Sequence, residues 1–146
     1  MKSLAQQHDL QNCACSNVRK SARVLTQHFD TAMQSVDLRA TQFTILGVLS
    51  AYSGITVTEL ADFLLMDRTT LTRNLRPLEN KGLVKTRAGD DRRTRLIELS
   101  KKGKNKLEKA IPLWKQAQKD VTDYMGKNRF SDFLTELNYV EKIPTI

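Results

Sequence analysis

The sequence of 146 residues has few of the residue types that build metal centres, disulfide frameworks or membrane spans. It has two histidines, and its two cysteines, Cys13 and Cys15, are separated by one residue. Cysteines this close together do not staple a fold, which favours a reducing compartment. The most apolar stretch, residues 43–52, is about half of the roughly 20 residues that a bilayer span needs, and the first thirty residues lack the apolar core of a signal peptide. We therefore expect a cytoplasmic protein with no span in a membrane, no metal and no cofactor.

The groups that enzymes bring together for catalysis are also missing. The six glycines are dispersed rather than gathered in a phosphate-binding loop, and no pattern pairs a nucleophile with a base or one carboxylate with another. We expect a protein without catalytic activity, and a thiol-based redox enzyme is the nearest catalytic alternative. The length and the 40% content of hydrophobic residues predict one folded domain over residues 1–146.

Positive charge is concentrated in the middle of the chain. Residues 65–106 contain 13 of the 24 Lys and Arg but only five of the 16 Asp and Glu, so the whole net charge of +8 lies in this block. Such a concentration favours a polyanion as the partner. Charge alone leaves three partners open: double-stranded DNA bound by sequence, nucleic acid bound without sequence preference, and an anionic membrane surface.

The spacing of apolar residues predicts a mainly helical chain with one small β-hairpin. The predicted helices are a long first helix from Leu10 to about Val36, a core helix over Thr41–Tyr52, two short helices over about Thr56–Leu65 and Asp67–Lys81, a long helix over Ser100–Met125 and a last helix over about Arg129–Glu141. The predicted strands are Leu83–Ala88 and Thr94–Leu99, joined by a turn at residues 89–93. Capping side chains support the two short helices, because Thr56 is followed three residues later by Glu59, and Asp67 begins the second.

The two short helices, joined by a brief linker, form a predicted helix-turn-helix, and the hairpin that follows takes the place of a wing. We assign this central lobe to about residues 41–100. The terminal helices, about residues 8–36 and 104–143, have wide apolar faces at opposite ends of the sequence. A chain of this size has little for such faces to cover except each other and a second copy. We therefore expect a homodimer whose dimerisation lobe contains both termini.

The second short helix has a polar face rich in arginine and threonine. Its apolar stripe, Leu71, Leu75 and Leu78, is expected to face inward. The residues left outside the stripe are Arg68, Thr69, Thr70, Thr72, Arg73 and Arg76. A solvated surface is the alternative, but no acid lies between Asp67 and Glu79, and Arg and Thr are suited to guanine edges, thymine methyl groups and phosphates. The pattern favours a helix that enters the major groove of DNA.

The hairpin adds a second basic element beside this helix. Its candidate DNA contacts are Lys85, Arg87, Asp91, Arg92 and Arg93. The alternative for the tip is a soluble turn in which Asp90 and Asp91 form weak ion pairs with the two arginines. A basic helix followed by a basic-tipped hairpin suits duplex DNA, with the helix in the major groove and the hairpin beside it.

Two stretches of the chain resemble the multiple-antibiotic-resistance regulator (MarR) family of winged-helix transcription factors. Residues 91–103, Asp-Arg-Arg-Thr-Arg-Leu-Ile-Glu-Leu-Ser-Lys-Lys-Gly, are similar to the family's wing signature of Asp-x-Arg, a short strand and Leu-Thr/Ser-x-x-Gly. Residues 71–84 are similar to its recognition helix and the exit from that helix. The resemblance implies a dimer that binds a pseudo-palindromic operator, usually as a repressor, and that a small molecule or an oxidant releases. It also implies that Arg93 enters the minor groove while Asp91 holds its guanidinium.

The two cysteines are candidates for a redox site. Two residues apart on a helix, Cys13 and Cys15 would point to nearly opposite sides, so neither a mutual disulfide nor a shared metal is expected. We expect one small buried residue and one neutral thiol. The resemblance implies an alternative, because the organic-hydroperoxide-sensing branch of the family has its reactive cysteine in the first helix, placed like Cys15. Phe29 and Ala40 stand where that branch has activating tyrosines, which counts against peroxide sensing.

The resemblance also implies an effector cleft between the two lobes. His28, Trp114 and Tyr124 are the candidates to line it. The alternative for each of them is ordinary packing or surface exposure.

Overall fold

A computed structural model describes residues 1–144 of the chain. Its helices are α1 (Leu4–Gln7), α2 (Ala14–Ala32), α3 (Ala40–Ser50), α4 (Val57–Phe63), α5 (Arg68–Asn80), α6 (Lys101–Met125) and α7 (Lys127–Val140). Its strands are β1 (Ile55–Thr56), β2 (Val84–Ala88) and β3 (Arg95–Leu99), and two 3-10 turns, Leu10–Asn12 and Gln34–Val36, flank α2. Among these described helices, none has the length and hydropathy needed to span a bilayer.

The three strands form one antiparallel sheet in the order β1-β3-β2. Strands β2 and β3 are the predicted hairpin, with Val84 opposite Leu99 and Ala88 opposite Arg95. The short β1 pairs Ile55 with Ile97 and was not predicted. These elements confirm the prediction of a mainly helical chain with a helix-turn-helix and a small hairpin wing.

The prediction of one continuous first helix is wrong at both ends. Cys13 has an extended backbone (ψ 115°), which separates the 3-10 turn of residues 10–12 from α2, and Met33 (ψ 7°) ends α2 before the second turn. The side-chain amide of Asn17 donates to the carbonyl oxygens of Gln11 (2.8 Å) and Cys13 (3.0 Å). These bonds hold the 3-10 turn beside the first turn of α2 in place of a continuous helical ladder.

The core lies under the helix-turn-helix and fixes the orientation of α5. Leu71, Leu75 and Leu78 are buried, as their spacing predicted. They pack in one cluster with residues of α3, α4 and β3, which include Ile45, Leu46, Leu49, Leu60, Ala61 and Ile97. Full burial of one such leucine contributes about 1.5–3 kcal/mol. Because this stripe is anchored, the arginine-rich face of α5 must lie outward.

The terminal helices pack on one another, with α2 against α6 and α6 against α7. Ala110 and Ala117 of α6 are buried, whereas α2 and α7 contain no fully buried residue. Large apolar side chains therefore stay exposed on these helices, and they are Val18, Val24, Tyr124, Leu134, Tyr139 and Val140. A single chain covers only part of its own apolar surface in this lobe.

Candidate nucleic-acid interface

Side-chain caps set the start of both helices of the helix-turn-helix. Thr56 and Glu59 form the predicted capping box, in which the Thr56 N–H donates to Glu59 Oε2 (2.9 Å) and the Glu59 N–H to Thr56 Oγ1 (3.1 Å). Asp67 accepts from the backbone N–H of Thr70 at 2.8 Å and so caps α5, again as predicted. Hydrogen bonds from the Thr70 hydroxyl and backbone lower the pKa of Asp67. The carboxylate therefore holds the first turn of α5 in place.

The turn between these helices depends on a left-handed residue that is not glycine. Leu65 has φ 51°. Its N–H donates to the carbonyl of Asp62 (3.2 Å), and the next N–H, of Met66, donates to that of Ala61 (2.9 Å). This pattern ends α4 and sends the chain back toward the start of α5.

The outward face of α5 forms a shallow depression with a volume of about 390 Å³. Its lining residues are Arg68, Thr69, Thr72, Arg73 and Arg76. Within the part of the chain that the structure describes, the side chains of these three arginines form no ion pair or hydrogen bond. Thr70 is not in the lining, and its hydroxyl donates to the carboxylate of Asp67. The structure thus brings together five of the six expected residues.

The wing ends in a tight turn that displays two arginines. The Gly89 N–H donates to the Thr94 carbonyl (2.8 Å), and both Arg92 and Arg93 are exposed. Asp91 accepts from the backbone N–H of Arg93 at 3.0 Å, and the structure has no ion pair between these two side chains among the described residues. Asp91 therefore shapes the turn, and the contact with the guanidinium that the resemblance implied is not formed.

Lys85 and Arg87 are bound within the protein. The Lys85 ammonium lies 3.0 Å from Glu98 Oε1, and Arg87 Nε lies 2.9 Å from Glu98 Oε2. Arg87 also donates to the carbonyl of Ser53 at 2.9 Å, which ties the hairpin to the loop before β1. Bonds from Arg87 and then from Lys85 lower the pKa of Glu98. Sequence reasoning missed this carboxylate, although the cross-strand register that places Glu98 opposite Lys85 could have shown it.

A second cleft joins the start of α5 to the wing. Its volume is about 300 Å³, and its lining residues are Thr56, Val57, Thr58, Arg68, Arg93, Thr94 and Arg95. Arg95 and Thr58 were not among the expected contacts. Arg95 is exposed and lies two residues before the buried Ile97 on β3, so the alternation of strand residues could have placed it on the inner face of the hairpin.

The three effector candidates do not share one cavity. His28 and Tyr124 line a groove of about 890 Å³ between α2, α6 and α7, and His28 Nε2 lies 3.2 Å from the carbonyl oxygen of Ala117. Trp114 lines a separate cavity of about 220 Å³ between α2, α3 and α6. There it stacks on Phe43, with ring centroids 5.6 Å apart.

Both cysteines are free thiols near the start of α2. Cys13 is half-buried at the N-cap position, and Cys15 is exposed in the first turn. Neither thiol is buried in this chain, so the expectation that one of them is a small buried residue is wrong.

Comparison with known proteins places these features in one family. A family model described as "MarR family" matches residues 36–94. The crystal structure of the transcriptional regulator MosR of M. tuberculosis is 38% identical, covers 91% of this chain and 98% of its own, and has a TM-score of 0.77. The structure of the same regulator in complex with DNA is 39% identical over 90% of this chain and 100% of its own, with a TM-score of 0.75.

A curated relative is similar over a somewhat shorter stretch. The organic hydroperoxide resistance transcriptional regulator of Bacillus subtilis (strain 168) is 29% identical over 105 residues, which is 71% of each chain. With the winged helix-turn-helix and the arginine face of α5, these similarities identify the chain as a member of the MarR family of DNA-binding transcription regulators, which are not enzymes.

Proposed function

We propose that the protein is a cytoplasmic, homodimeric and sequence-specific regulator of transcription, which represses its target genes until a small-molecule effector releases it from DNA. The proposal rests on one observation: within the described residues, the arginines of the α5 face and of the wing tip form no ion pair with an acidic side chain. Lys85 and Arg87, on the other face of the hairpin, are instead paired with Glu98. The unpaired arginines are therefore available to a polyanion.

The two basic elements suit different grooves. Arg68, Arg73 and Arg76 on α5 can donate to guanine edges or phosphates in the major groove, and Thr69 and Thr72 can contact phosphates or thymine methyl groups. Arg92 and Arg93 project from a narrow turn, and a planar, permanently charged group is favoured in the strong negative potential of a narrow minor groove.

A second copy would cover the apolar surface of the terminal lobe. Exposed side chains on α2, α6 and α7, such as Val24 and Tyr124, suit a symmetric interface in which each copy contributes the same patch. We assign the interface to about residues 8–36 and 104–143, and DNA binding to about residues 41–100, within one domain of 146 residues. The dimer would present two α5 helices about 34 Å apart, one turn of DNA.

The test is selection of genomic DNA by the purified protein, followed by footprinting of the selected promoter. We expect two protected half-sites about 10 bp apart and an affinity that falls steeply with salt. Protection without sequence preference would favour a non-specific basic binder, and an affinity independent of salt would rule out the nucleic-acid function. Transcription from the selected promoter with and without the protein separates a repressor from an activator.

The cavity beside Trp114 is a candidate effector site. Leu25, Phe29, Met33 and Phe43 line it with the tryptophan, so it suits a small aromatic or apolar molecule. The chain has one tryptophan, and binding there should quench or shift its fluorescence. A compound that changes this fluorescence and releases the operator supports the assignment, and one that releases the operator while the fluorescence stays constant points to the groove beside His28 and Tyr124 instead.

A thiol-responsive regulator is the second candidate function. It is favoured by the exposure of Cys15 in the first turn of α2 and by the similarity to a regulator of organic hydroperoxide resistance. Phe29 and Ala40 in place of activating tyrosines weigh against it. Operator release by cumene hydroperoxide should be lost in Cys15→Ser and kept in Cys13→Ser. Equal release in wild type and Cys15→Ser would exclude this candidate.

A further inference from the structure

We propose that the cleft between the start of α5 and the inner face of the wing binds the sugar–phosphate backbone of DNA, with Arg95 as a phosphate-binding residue. This inference rests on the proposed DNA-binding function and adds a site that the sequence did not indicate. Its basis is the position of Arg68, Arg93 and Arg95 around one cleft of about 300 Å³.

The direction of Arg95 follows from the strand it begins. Side chains two apart on a strand share a face, so Arg95 lies on the face of Ile97, which is buried. Arg95 pairs with Ala88 at the far end of the hairpin, beyond the core, and its side chain is exposed. It therefore lines the gap between the wing and the α4–α5 unit, together with Thr58 and Arg68.

The shape of duplex DNA determines what passes through this gap. A protein with one element in the major groove and the next in the adjacent minor groove must straddle the sugar–phosphate strand that separates the two grooves. Helix α5 and the wing tip are those elements, and the cleft lies between them. Arginine donates charge-assisted hydrogen bonds to phosphate oxygens, and the hydroxyl of Thr58 can add a neutral one.

The described acids near the cleft form no ion pair with its arginines. The carboxylate of Glu59 is bonded to the backbone and hydroxyl of Thr56, and that of Asp67 to Thr70. Within the described residues, no ion pair includes Arg68, Arg93 or Arg95. The other face of the same hairpin differs, because Glu98 there holds Lys85 and Arg87.

A charge outside the hairpin supplies the control. Arg95→Ala and Arg39→Ala each remove one arginine, but Arg39 is paired with Asp30 and lies outside the cleft and the candidate DNA contacts. We expect each lost Arg95 contact to weaken binding about tenfold, hence about 100-fold for the dimer, equally for the operator and for unrelated duplex. The slope of log Kobs against log salt should become about 1.8 less negative, about 0.9 for each of the two lost contacts. Arg39→Ala should leave the slope unchanged.

Ethylation of single phosphates in the operator locates the contact. In wild type, ethylation of the phosphates between the two contacted grooves should block binding, and in Arg95→Ala this interference should weaken, since Thr58, Arg68 and Arg93 still line the cleft. Arg95→Lys, which keeps the charge, should restore the salt slope, and thermal melting should show all variants folded.

The proposal is overturned if Arg95→Ala keeps the wild-type slope and interference pattern, or if it changes sequence preference, which would indicate a base contact. If the wild-type protein itself binds DNA without salt dependence, the proposed function has failed. If wild type binds DNA with the expected salt dependence and Arg95→Ala binds in the same way, only the phosphate-binding role of Arg95 is wrong.

Discussion

Gly103 of α6 packs so closely against Leu83 that a Cβ atom on Gly103 would lie 1.9 Å from the carbonyl oxygen of Leu83. The same carbonyl accepts from the N–H of Ser100 (3.1 Å), whose hydroxyl donates to the carbonyl of Gly82 (2.6 Å). The exit from α5 and the start of α6 are therefore joined by direct backbone contact. The positions of the DNA-facing helix and of the long helix in the terminal lobe are coupled through this junction.

The first prediction tests that junction. Gly103→Ala should lower the free energy of unfolding by about 3 kcal/mol, because the new methyl group meets backbone that has to move. Gly47→Ala is the control, since a Cβ there meets nothing within 4 Å and alanine is favoured in the interior of α3. Urea unfolding of both variants measures the difference. Equal stabilities would show that α6 shifts freely from Leu83.

The second prediction concerns the left-handed Leu65. A leucine with φ 51° is strained, and its side chain is 69% exposed, so little burial is lost on its removal. Leu65→Gly should raise the free energy of unfolding by about 0.5–1 kcal/mol, the relief of left-handed strain less the larger chain entropy of glycine. Leu65→Ala removes the same side chain but keeps the strain, and should give no gain. A gain in both variants would attribute the effect to the side chain.

The third prediction follows from the cap on α5. Hydrogen bonds from Thr70 hold the folded-state pKa of Asp67 below its ordinary value of 3.8. The stabilisation by this carboxylate is therefore complete above that value and is lost as the pH falls through the lower, folded-state pKa. Asp67→Asn keeps a capping oxygen without the titration. Thermal melts between pH 6 and pH 2 should show a smaller loss of stability in Asp67→Asn than in wild type, and parallel curves would argue against the cap.

The fourth prediction concerns base recognition by α5. Arg73 lies mid-helix on the exposed face, without an internal partner among the described residues. Arg73→Ala should weaken operator binding by about 1–3 kcal/mol per half-site and relax the preference at one base position of each half-site. Lys85→Ala, which removes a charge already paired with Glu98, should preserve that preference. Competition titrations with single-base operator variants measure both effects. An unchanged affinity would remove Arg73 from the contacts.

Features of the fold that depend on neighbours in sequence could be predicted. The caps at Thr56 and Asp67 and the inward stripe of α5 need only residues three or four positions apart, and the structure has all of them. The two ends of α2 were predicted wrongly because apolar periodicity continues through Cys13 and Met33, where the backbone leaves the helix. The spacing of apolar residues indicates which face of a helix is apolar, but it does not indicate where a single residue leaves helical geometry.

The DNA contacts of the wing could be predicted from the sequence only in part. Sequence alone grouped Lys85 and Arg87 with the arginines of the wing tip and left Arg95 out, but the strand register divides these cations differently. Lys85 and Arg87 share a face with Glu98, and Arg95 lies on the other face beside Arg68. Ion pairs that neutralise these cations form across strands and between elements. The number of charges in a stretch of sequence therefore does not show which cations are paired.

The fifth prediction tests the dimer. Tyr124 is 92% exposed on α6 and lies in the apolar groove with Val24 and Phe133. If a second copy covers this groove, Tyr124→Glu would bury a carboxylate in an apolar contact and should raise the dimer dissociation constant at least 100-fold, about 3 kcal/mol. Phe63→Glu is the control, because Phe63 is a 59% exposed apolar residue on α4, outside the terminal lobe.

Sedimentation equilibrium separates the outcomes. Wild type and Phe63→Glu should sediment as dimers and Tyr124→Glu as a monomer, and a monomeric wild type would end the proposal of a dimer. A dimeric Tyr124→Glu would move the interface away from this groove. Because a monomer presents one α5 helix instead of two, Tyr124→Glu should also bind the full operator no more tightly than an isolated half-site, whereas wild type should strongly prefer the full operator.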